Sequence, residues 1–414
     1  MKKLILGLAL STFLIIGGCN KSNSTSLTFS SWGSIDEINI LKPILADFTK
    51  STGINVELIH IPDNYYQKIH MMFASETEPD VIFLNNLTLP VYADSGVLEN
   101  MEPWLAKTDD FKLGAFYPQV LESMKWKSKL YGIPRDISNL VIYYNQDMFD
   151  RYHIPYPHSG WSMGDFQKTA FELSRDNDGD GNKDTYGFFI DKRPLFWLPF
   201  VWSFGGDVLN DELNRFSLDT PESIAGLEFY VNLRQKYNSA PSEKEVGNTK
   251  AGQLFSQEKI GMQLSGRWSV PTYRTNLKFR WDVVSFPQGP KGSIVDVDSS
   301  GWVISKSSKK KEQAWELVKF LGNSRSIGKF SEDGLIVPSR IDIANSKQFL
   351  GGEKPRNSKV FLDSIKTGRP IRTTPNWSEI SNELELSLED IWNGNEVPQR
   401  SVSKASARIN ALLK

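Results

Sequence analysis

The sequence has a single cysteine and no excess of charge of either sign. Cys19 is the one cysteine among 414 residues, so the chain has no internal disulfide and its fold depends on packing. The 48 lysines and arginines are balanced by 49 aspartates and glutamates, which leaves a formal net charge of −1. Nucleic-acid binding draws on a basic surface that releases counterions from phosphates. The charge balance therefore argues against a nucleic-acid partner.

The apolar run at the start of the chain is too short to span a bilayer. It extends from Leu4 to Ile16, whereas a membrane-spanning helix needs about 20 residues. It follows two lysines and ends in Gly17-Gly18-Cys19, the arrangement of an export signal with a lipidated cysteine. We expect residues 1–18 to be a lipoprotein signal peptide, Cys19 to be acylated and residues 19–26 to form a flexible tether. The mature protein would then be lipid-anchored at the extracytoplasmic face of the cell membrane.

Two familiar catalytic patterns are missing. The sequence has no His-Glu-x-x-His zinc pair and no phosphate-binding loop, and its four histidines are scattered along the chain. A glycosidase needs only two carboxylates about 5 to 10 Å apart, which a sequence does not reveal. We therefore predict that the protein is not an enzyme, and a secreted carbohydrate-active lipoprotein enzyme is the alternative.

Strand and helix patterns alternate over residues 27–84. Apolar positions three and four apart predict a helix over 36–49, and short apolar runs on either side predict strands. This order indicates a mostly parallel sheet, in which ligands bind beyond the carboxyl ends of the strands. Trp32 follows the first predicted strand and Asn85 the third, so both are candidate ligand contacts.

Tryptophan is abundant, with 12 residues. This number exceeds what ordinary packing requires, so we expect some indoles in the core and others against a flat apolar ligand face. Trp268 is the best candidate for a stacking residue because it follows a predicted strand and Gly266, which would let the backbone approach a ligand. Core packing under the next helix is the alternative.

Residues 176–184 have the spacing of a calcium-binding loop. Side-chain oxygens alternate with glycines, as in the EF-hand loop, where positions 1, 3 and 5 supply carboxylates and position 7 a carbonyl. The residues in these roles are Asp176, Asp178, Asp180, Asn182 and Asp184. Gly187 stands where that loop has its bidentate glutamate, so we expect a structural calcium rather than a switch. A solvated acidic turn is the alternative.

Six segments spread over nearly the whole mature chain carry a family resemblance. They read TFSSWG, FTKSTGINVELI, EPDVIFLNN, YGIPRDISNLVIYYNQDMF, GMQLSGRW and GWVISKSSKKKEQAWELVKFL. In order and spacing they resemble the extracellular solute-binding proteins of carbohydrate ABC importers, the maltose- and multiple-sugar-binding lipoproteins. The resemblance implies an α/β fold of two lobes, each a mostly parallel sheet flanked by helices, joined by hinge crossovers and closing over a ligand.

The resemblance also implies where the chain passes between the lobes. We expect lobe I to comprise residues 27–137 and 299–344, and lobe II to comprise residues 138–298 and 345–414. The first crossing is short and polar, so Arg135, Asp136 and Asn139 are candidate hydrogen-bonding groups for a ligand, although a surface turn has the same composition.

Further ligand contacts are implied at positions where the family lines its cleft. Trp197 lies near a helix start that presents an aromatic side chain in the family, with core packing as the alternative. Gly301 and Trp302 fall in a segment that lines the cleft in the family. Arg340 follows a later segment of the same kind and is also a candidate ligand contact. Arg267 stands where the family often has proline. A guanidinium favours a planar carboxylate, so this departure leaves open whether the ligand is neutral or acidic.

The partners follow from the resemblance as well. A sugar or an oligosaccharide is the expected ligand, with an acidic sugar or a sugar phosphate as the alternative. ABC importer permease subunits are the expected protein partners, and the chain is expected to act as a monomer without an organic cofactor.

Overall fold

The structure is a computed structural model, and it describes residues 26–414. Cys19, the predicted signal peptide 1–18 and the predicted tether as far as residue 25 lie outside the described residues. In residues 26–414, no helix has both the length and the apolar character needed to cross a membrane.

Short strands form four sheets in the described part of the chain. Their bounds are β1 (Leu27–Ser31), β2 (Val56–His60), β3 (Val81–Asn85), β4 (Lys125–Trp126), β5 (Lys129–Leu130), β6 (Gly132–Pro134), β7 (Asp136–Ile137), β8 (Val141–Asn145), β9 (Met262–Ser265), β10 (Trp281–Val284), β11 (Ser300–Ile304) and β12 (Val337–Pro338).

Helices make up most of the remaining structure. They are α1 (Ile35–Thr52), α2 (Tyr65–Ala74), α3 (Leu89–Asp94), α4 (Glu102–Leu105), α5 (Pro118–Ser123), α6 (Gln146–Arg151), α7 (Met163–Leu173), α8 (Pro194–Phe204), α9 (Pro221–Gln235), α10 (Glu243–Val246), α11 (Ala251–Ser256), α12 (Val270–Asn276), α13 (Lys311–Leu321), α14 (Ser324–Glu332), α15 (Ile341–Ala344), α16 (Lys347–Leu350), α17 (Lys359–Ser364), α18 (Trp377–Trp392) and α19 (Pro398–Leu412). Two 3₁₀ turns lie at Leu113–Ala115 and Arg267–Ser269.

The first helix shows why the local predictions succeed. Ser34 caps α1 by accepting a hydrogen bond from the backbone N–H of Glu37 (3.2 Å), and Gly53 ends the helix with φ 74°. Ile38, Leu41 and Phe48 lie on one face and are buried. The predicted helix over 36–49 is confirmed because capping and amphipathic spacing are both encoded locally.

The first sheet has the strand order β2-β1-β3-β11-β6. The strands β1, β2 and β3 are parallel, as predicted from their alternation with helices. In contrast, β11 runs antiparallel to both β3 and β6. The carboxyl ends of β1 and β3 therefore lie at one edge, with Trp32 and Asn86 just beyond them.

The second sheet differs from the prediction of a mostly parallel sheet. Its order is β10-β8-β9, and both pairings are antiparallel. The strands β9 and β10 run in the same direction but lie on opposite sides of β8. A buried apolar strand has the same composition in either direction, so the sequence pattern did not reveal the pairing.

Separate hydrophobic cores accompany the two sheets. One core draws on residues from Leu27 to Ile133 and from Trp302 to Ile343. Another lies wholly between Leu140 and Ile409. A third cluster packs Ile137 and Val337 against residues of the second sheet, where the chain passes between the cores. These separate cores give the predicted two-lobed α/β architecture.

Candidate functional site

The candidate site lies where the carboxyl edge of the first sheet meets the second lobe. Thr272, on α12, donates its hydroxyl hydrogen bond to Oδ2 of Asp36 at the start of α1 (2.8 Å). Leu87, just after β3, packs partly against the second-lobe core. These two contacts bring the lobes together just beyond the carboxyl ends of β1 and β3, which is where ligands bind in sheets of this kind.

Trp268 is exposed in the turn that leads into α12, the helix that carries Thr272. It belongs to the 3₁₀ turn that follows β9, and 39% of its surface is exposed. Its ring lies against Gly266, where an added Cβ would come within 1.9 Å of a ring carbon. Glycine is therefore needed at 266 for this ring position. The predicted stacking role of Trp268 fits its exposure and remains a prediction.

Trp32 contributes a second, half-buried indole. Its ring packs on Tyr65, Tyr66 and Phe83, with ring centroids 5.1, 5.6 and 4.3 Å away. These neighbours come from α2 and β3 and hold the ring at the end of β1. Trp32 thus lies just beyond the carboxyl end of β1, as expected for a parallel sheet, and at the edge of the first-lobe core.

A buried charged cluster lies beside these aromatics. Arg135 bonds Oε1 of Glu37 (2.7 Å) and Oδ2 of Asp136 (2.7 Å), and its guanidinium carbon is 4.2 Å from the centroid of the Phe83 ring. Burial would lower the pKa of Arg135, but the two carboxylates outweigh it and raise that pKa. Arg135 therefore remains a cation held between two acids.

Asp136 is committed to the fold, contrary to its predicted role in binding ligand. One carboxylate oxygen binds Arg135, and the other accepts the backbone N–H of Ser300 (2.9 Å). Its carbonyl accepts the hydroxyl of Ser299 (2.8 Å). Since both carboxylate oxygens already accept hydrogen bonds, Asp136 fixes the crossing segments and has little left to offer a ligand.

Glu37 is the residue that the sequence reasoning missed. Ser34 and Glu37 have the spacing of a helix capping box, which gave no reason to expect a site residue there. The Glu37 side chain instead turns to Arg135, which is 98 positions away in sequence. The available signal was the acid in the first turn of a helix that follows Trp32.

Three predicted ligand contacts are buried in the cores. Trp197 is fully buried in the second-lobe core and donates its indole N–H to the carbonyl of Lys192 (2.9 Å). Trp302 is 1% exposed and packs among first-lobe aromatics, including Phe83. An added Cβ at Gly301 would lie 2.4 Å from the carbonyl oxygen of Ile133, so this glycine lets β6 approach β11. Core packing uses the same residue types as ligand binding, and in this structure these residues pack within the lobes; their predicted ligand contacts stay predictions.

Arg267 is also buried, contrary to its predicted place beside a ligand. It is 2% exposed and bonds the hydroxyl of Ser358 (3.1 Å) and the carbonyl of Phe349 (3.4 Å). Its guanidinium packs on the rings of Phe349 and Phe361. Burial without a carboxylate lowers the pKa of Arg267 to about 10. Arg267 therefore holds the segment around 349–361 in place through hydrogen bonds and ring packing, and it does not face the cleft.

The remaining predicted contacts have partners within the protein. Asn85 accepts hydrogen bonds from the backbone N–H (3.1 Å) and hydroxyl (2.9 Å) of Thr88 and so caps a turn. Asn139 is buried and donates to the carbonyl of Phe361 (2.6 Å). Arg340 pairs with Asp342 (2.9 Å). The side chains of Asn139 and Arg340 are thus directed at protein groups, whereas Asn85 is half-buried and uses only its carbonyl oxygen in the turn.

The crossing segments meet at Asp298. Its backbone pairs with that of Ser138 through two hydrogen bonds (2.7 and 3.0 Å). Its carboxylate Oδ1 accepts from the side chain of Asn86 in the first lobe (2.8 Å) and from the backbone N–H of Ile371 (3.2 Å). Burial raises the pKa of Asp298 to about 7. Burial and the neighbouring Asp298 also raise the pKa of Asp296 well above its usual range.

The predicted calcium loop brings three of its acids together. Carboxylate oxygens of Asp176, Asp178 and Asp184 lie within 4.8 Å of one another. Asp180 is not part of this group, and its oxygens accept the backbone N–H (2.7 Å) and side-chain amide (3.1 Å) of Asn182. Hydrogen bonds from the N–H groups of Gly181 and Gly179 lower the pKa of Asp176. Oxygen donors converging in this way suit a hard cation such as Ca²⁺.

Comparisons with known proteins agree with this architecture. The galactooligosaccharide-binding protein of Bacillus subtilis is 22% identical over 97% of this chain and 94% of its own length. The fold matches an ABC substrate-binding protein of Listeria monocytogenes solved with cycloalternan (TM-score 0.87, 23% identity, 93% and 98% coverage). It also matches the maltose-bound MalE3 protein of T. maritima (TM-score 0.81, 22% identity, 94% and 99% coverage).

A family model assigns the chain to its class. The model for bacterial extracellular solute-binding proteins matches residues 33–326. The matched range begins at Gly33 and contains the charged cluster around Arg135, Trp268 and the crossing at Asp298. This match extends over more than half of the chain and over segments of both lobes. The chain belongs to the bacterial extracellular solute-binding protein family.

Proposed function

We propose that this protein is the solute-binding component of an ABC importer, which captures a sugar or an oligosaccharide between its lobes and delivers it to membrane permease subunits. The observation that carries the proposal is the open indole of Trp268 at a cleft where Thr272 and Asp36 join the lobes. An indole face binds the C–H face of a sugar ring. The three similar proteins, which are named for or were solved with saccharides, support the same ligand class.

The proposed mechanism is capture by lobe closure. We place lobe I at residues 27–137 and 299–344, and lobe II at residues 138–298 and 345–414. The separate cores and the pairing of Ser138 with Asp298 support crossings near Ile137, Asp298 and Ala344. A ligand held by groups on both lobes stabilises the closed state by its preference for that state.

Binding without turnover is part of the proposal. Residues 160–164 match the Gly-x-Ser-x-Gly pattern of the serine-hydrolase nucleophile elbow. That elbow requires a strand directly before the serine. Here Ser162 caps α7, and its hydroxyl donates to the carboxylate of Asp165 (2.7 Å). A reciprocal capping box accounts for both residues, so this motif gives no support to an enzyme.

Lipid anchoring is a further part of the proposal. We propose that acylated Cys19 holds the monomeric protein at the extracytoplasmic face of the membrane. Two acyl chains give stable attachment where one gives only transient binding. Confinement to the membrane surface would raise the effective concentration of the binding protein near its permease.

A ligand screen tests the proposed function. The purified protein is mixed with neutral oligosaccharides, uronates, sugar phosphates and polyols, and its melting temperature is measured with each. We expect at least one saccharide to raise the melting temperature and to bind in calorimetry without product formation. Stabilisation by no saccharide, or release of product from one, would contradict the proposal.

A structural calcium ion in the loop 176–184 is a separate proposal. The convergence of Asp176, Asp178 and Asp184 supports it, since three carboxylates in close proximity repel one another without a cation. The loop lies outside the cleft built from Trp32, Glu37 and Trp268. We therefore assign the ion to stability rather than to ligand binding.

Calcium removal is expected to lower the melting temperature and to leave saccharide affinity unchanged. A hundredfold excess of calcium over its Kd would stabilise the folded state by about 2.7 kcal/mol. The measurement is thermal unfolding with calcium and with a chelator, followed by calorimetry under both conditions. Asp178→Asn should abolish the calcium response, whereas exposed Asp110→Asn should retain it. A melting temperature insensitive to chelation would disprove a bound calcium.

A further inference from the structure

We infer that Asp296 and Asp298 form a pH-sensitive switch that favours closed lobes when the pair is protonated and open lobes when it is ionised. This inference rests on the proposed function and adds a regulation of ligand capture by pH. The two acids lie on the segment that leads from lobe II into β11 of the first sheet, and β11 begins at Ser300. They are therefore placed at a crossing between the lobes.

The crossing segment is extended and is held by backbone pairing at both acids. Asp298 forms two backbone hydrogen bonds with Ser138 in the first crossing (2.7 and 3.0 Å), and Asp296 forms a bridge with Arg369 of a third segment. In an extended backbone, residues two positions apart point to the same side. The carboxyl groups of Asp296 and Asp298 therefore share one side of the crossing segment.

The two carboxyl groups are buried with few hydrogen-bond donors. Asp296 is 0% exposed and Asp298 is 5% exposed. Within residues 26–414, both oxygens of Asp296 and Oδ2 of Asp298 are sealed from solvent and accept no hydrogen bond. The backbone N–H of Leu140 faces the Asp296 carboxylate without the geometry of a hydrogen bond. An ionised carboxylate that loses water without gaining donors is strongly disfavoured, so this arrangement of the lobes favours the protonated pair.

The arginines of the neighbouring segments are directed at other carboxylates. Arg369 and Arg372, on the segment that pairs with the acids, bind Asp207 of lobe II. Arg135, in the first crossing, binds Asp136 (2.7 Å) and so neutralises that acid. Within residues 26–414, the ionised pair would therefore have no salt bridge to offset the cost of its burial.

The pair begins to lose protons near neutral pH. Burial raises the pKa of Asp298 to about 7. Burial and then repulsion from Asp298 raise the pKa of Asp296 well above its usual range. A group whose pKa is raised by an arrangement favours that arrangement at low pH, and its contribution is lost as pH rises through the raised pKa. The proton that leaves first is therefore the one on Asp298.

Asp298 links its proton to the position of the lobes. Its Oδ1 accepts hydrogen bonds from the side chain of Asn86 in lobe I (2.8 Å) and from the backbone N–H of Ile371 in lobe II (3.2 Å). Rotation of the lobes about this crossing would move Asn86 relative to Ile371 and admit water to the carboxylates. Water stabilises the ionised form, so ionisation favours the open lobes and protonation favours the closed lobes.

Calorimetry at several pH values tests the switch. Maltotriose and galactotriose are titrated into the full-length protein at about pH 6 and about pH 8, in buffers of different ionisation enthalpy. For a saccharide that binds, affinity is expected to be about tenfold weaker at the higher pH, and binding at the lower pH should take up about one proton. Affinity that does not change with pH would overturn the inference and leave the proposed function intact. Failure of every saccharide, including those of the wider screen, would instead remove the proposed function.

Variants assign the pH dependence to Asp298. Asp298→Asn is expected to abolish both the proton uptake and the loss of affinity at higher pH. Asn86→Ala removes a donor that favours the ionised form of Asp298, so the loss of affinity should move to higher pH. Exposed Asp110→Asn should follow the wild-type profile. All four histidines remain in each variant, so they do not account for a difference between profiles.

Thermal unfolding without ligand checks that each variant is folded. A wild-type profile of affinity against pH in folded Asp298→Asn would overturn the inference. If that variant does not fold, an unchanged profile in folded Asn86→Ala would overturn it, and the proton uptake of the wild type tests it without any substitution.

Discussion

Trp268→Ala is expected to weaken saccharide binding about tenfold or more, which corresponds to about 1.4 kcal/mol at 25 °C. The indole offers an exposed face at the cleft, and a stacked sugar ring would cover it. Alanine removes that face without opening a core cavity, because the side chain is not part of either lobe's core. Calorimetry with the tightest neutral saccharide measures the loss.

A second exposed aromatic residue provides the control for Trp268. Phe171 lies on α7 and is 57% exposed, so Phe171→Ala removes a similar solvent-facing ring away from the cleft. This variant should bind saccharide as the wild type does. Equal affinities for the Trp268→Ala variant and the wild type would place the ligand elsewhere.

The buried acid at the crossing is expected to make stability fall as pH rises from about 4 to 7. Asp298 has a pKa of about 7 in the folded protein, against an ordinary value of 3.8. Between these values the unfolded chain loses a proton that the folded protein retains, so folding is favoured less as pH increases. Above pH 7 the contribution of Asp298 no longer changes with pH, and any further loss would come from Asp296, whose pKa burial also raises. The difference corresponds to a few kcal/mol, because one pKa unit is worth about 1.4 kcal/mol.

Asp298→Asn tests this assignment. Asparagine keeps a carbonyl oxygen for the hydrogen bonds from Asn86 and Ile371 but carries no charge, and it removes the repulsion acting on Asp296. Urea unfolding at pH 5 and pH 8 should show a smaller loss of stability for the variant than for the wild type. Exposed Asp110→Asn should follow the wild-type profile. The same loss in Asp298→Asn as in the wild type would mean that Asp298 is already ionised when folded.

The architecture was predictable where sequence patterns act locally. The helix predicted over 36–49 formed as α1 because its cap and its apolar stripe lie within the same segment. The parallel arrangement of β1, β2 and β3 followed from their alternation with helices. The second sheet was mispredicted because apolar strands do not encode the direction of partners that join from distant parts of the chain.

The site was predictable only in part. Trp268 was identified because a glycine and a tryptophan follow a strand, and its ring is indeed exposed. Trp197 and Trp302 belong to equally aromatic segments but are buried, since indoles serve core packing as well as ligand stacking. Burial depends on which other segments cover a residue, and that information is not local.

By itself, the sequence determined the two-lobed α/β class, the first helix and the parallel part of the first sheet, and it singled out Trp268, which is exposed in the structure. These features depend on periodicity, capping and strand order within short segments. Only the tertiary structure decided the role of Glu37, because its partner Arg135 lies 98 positions away, and the role of Asp298, because Asn86 lies 212 positions away. Charges and hydrogen bonds act through space, so folding has to bring these groups together before their chemistry is defined.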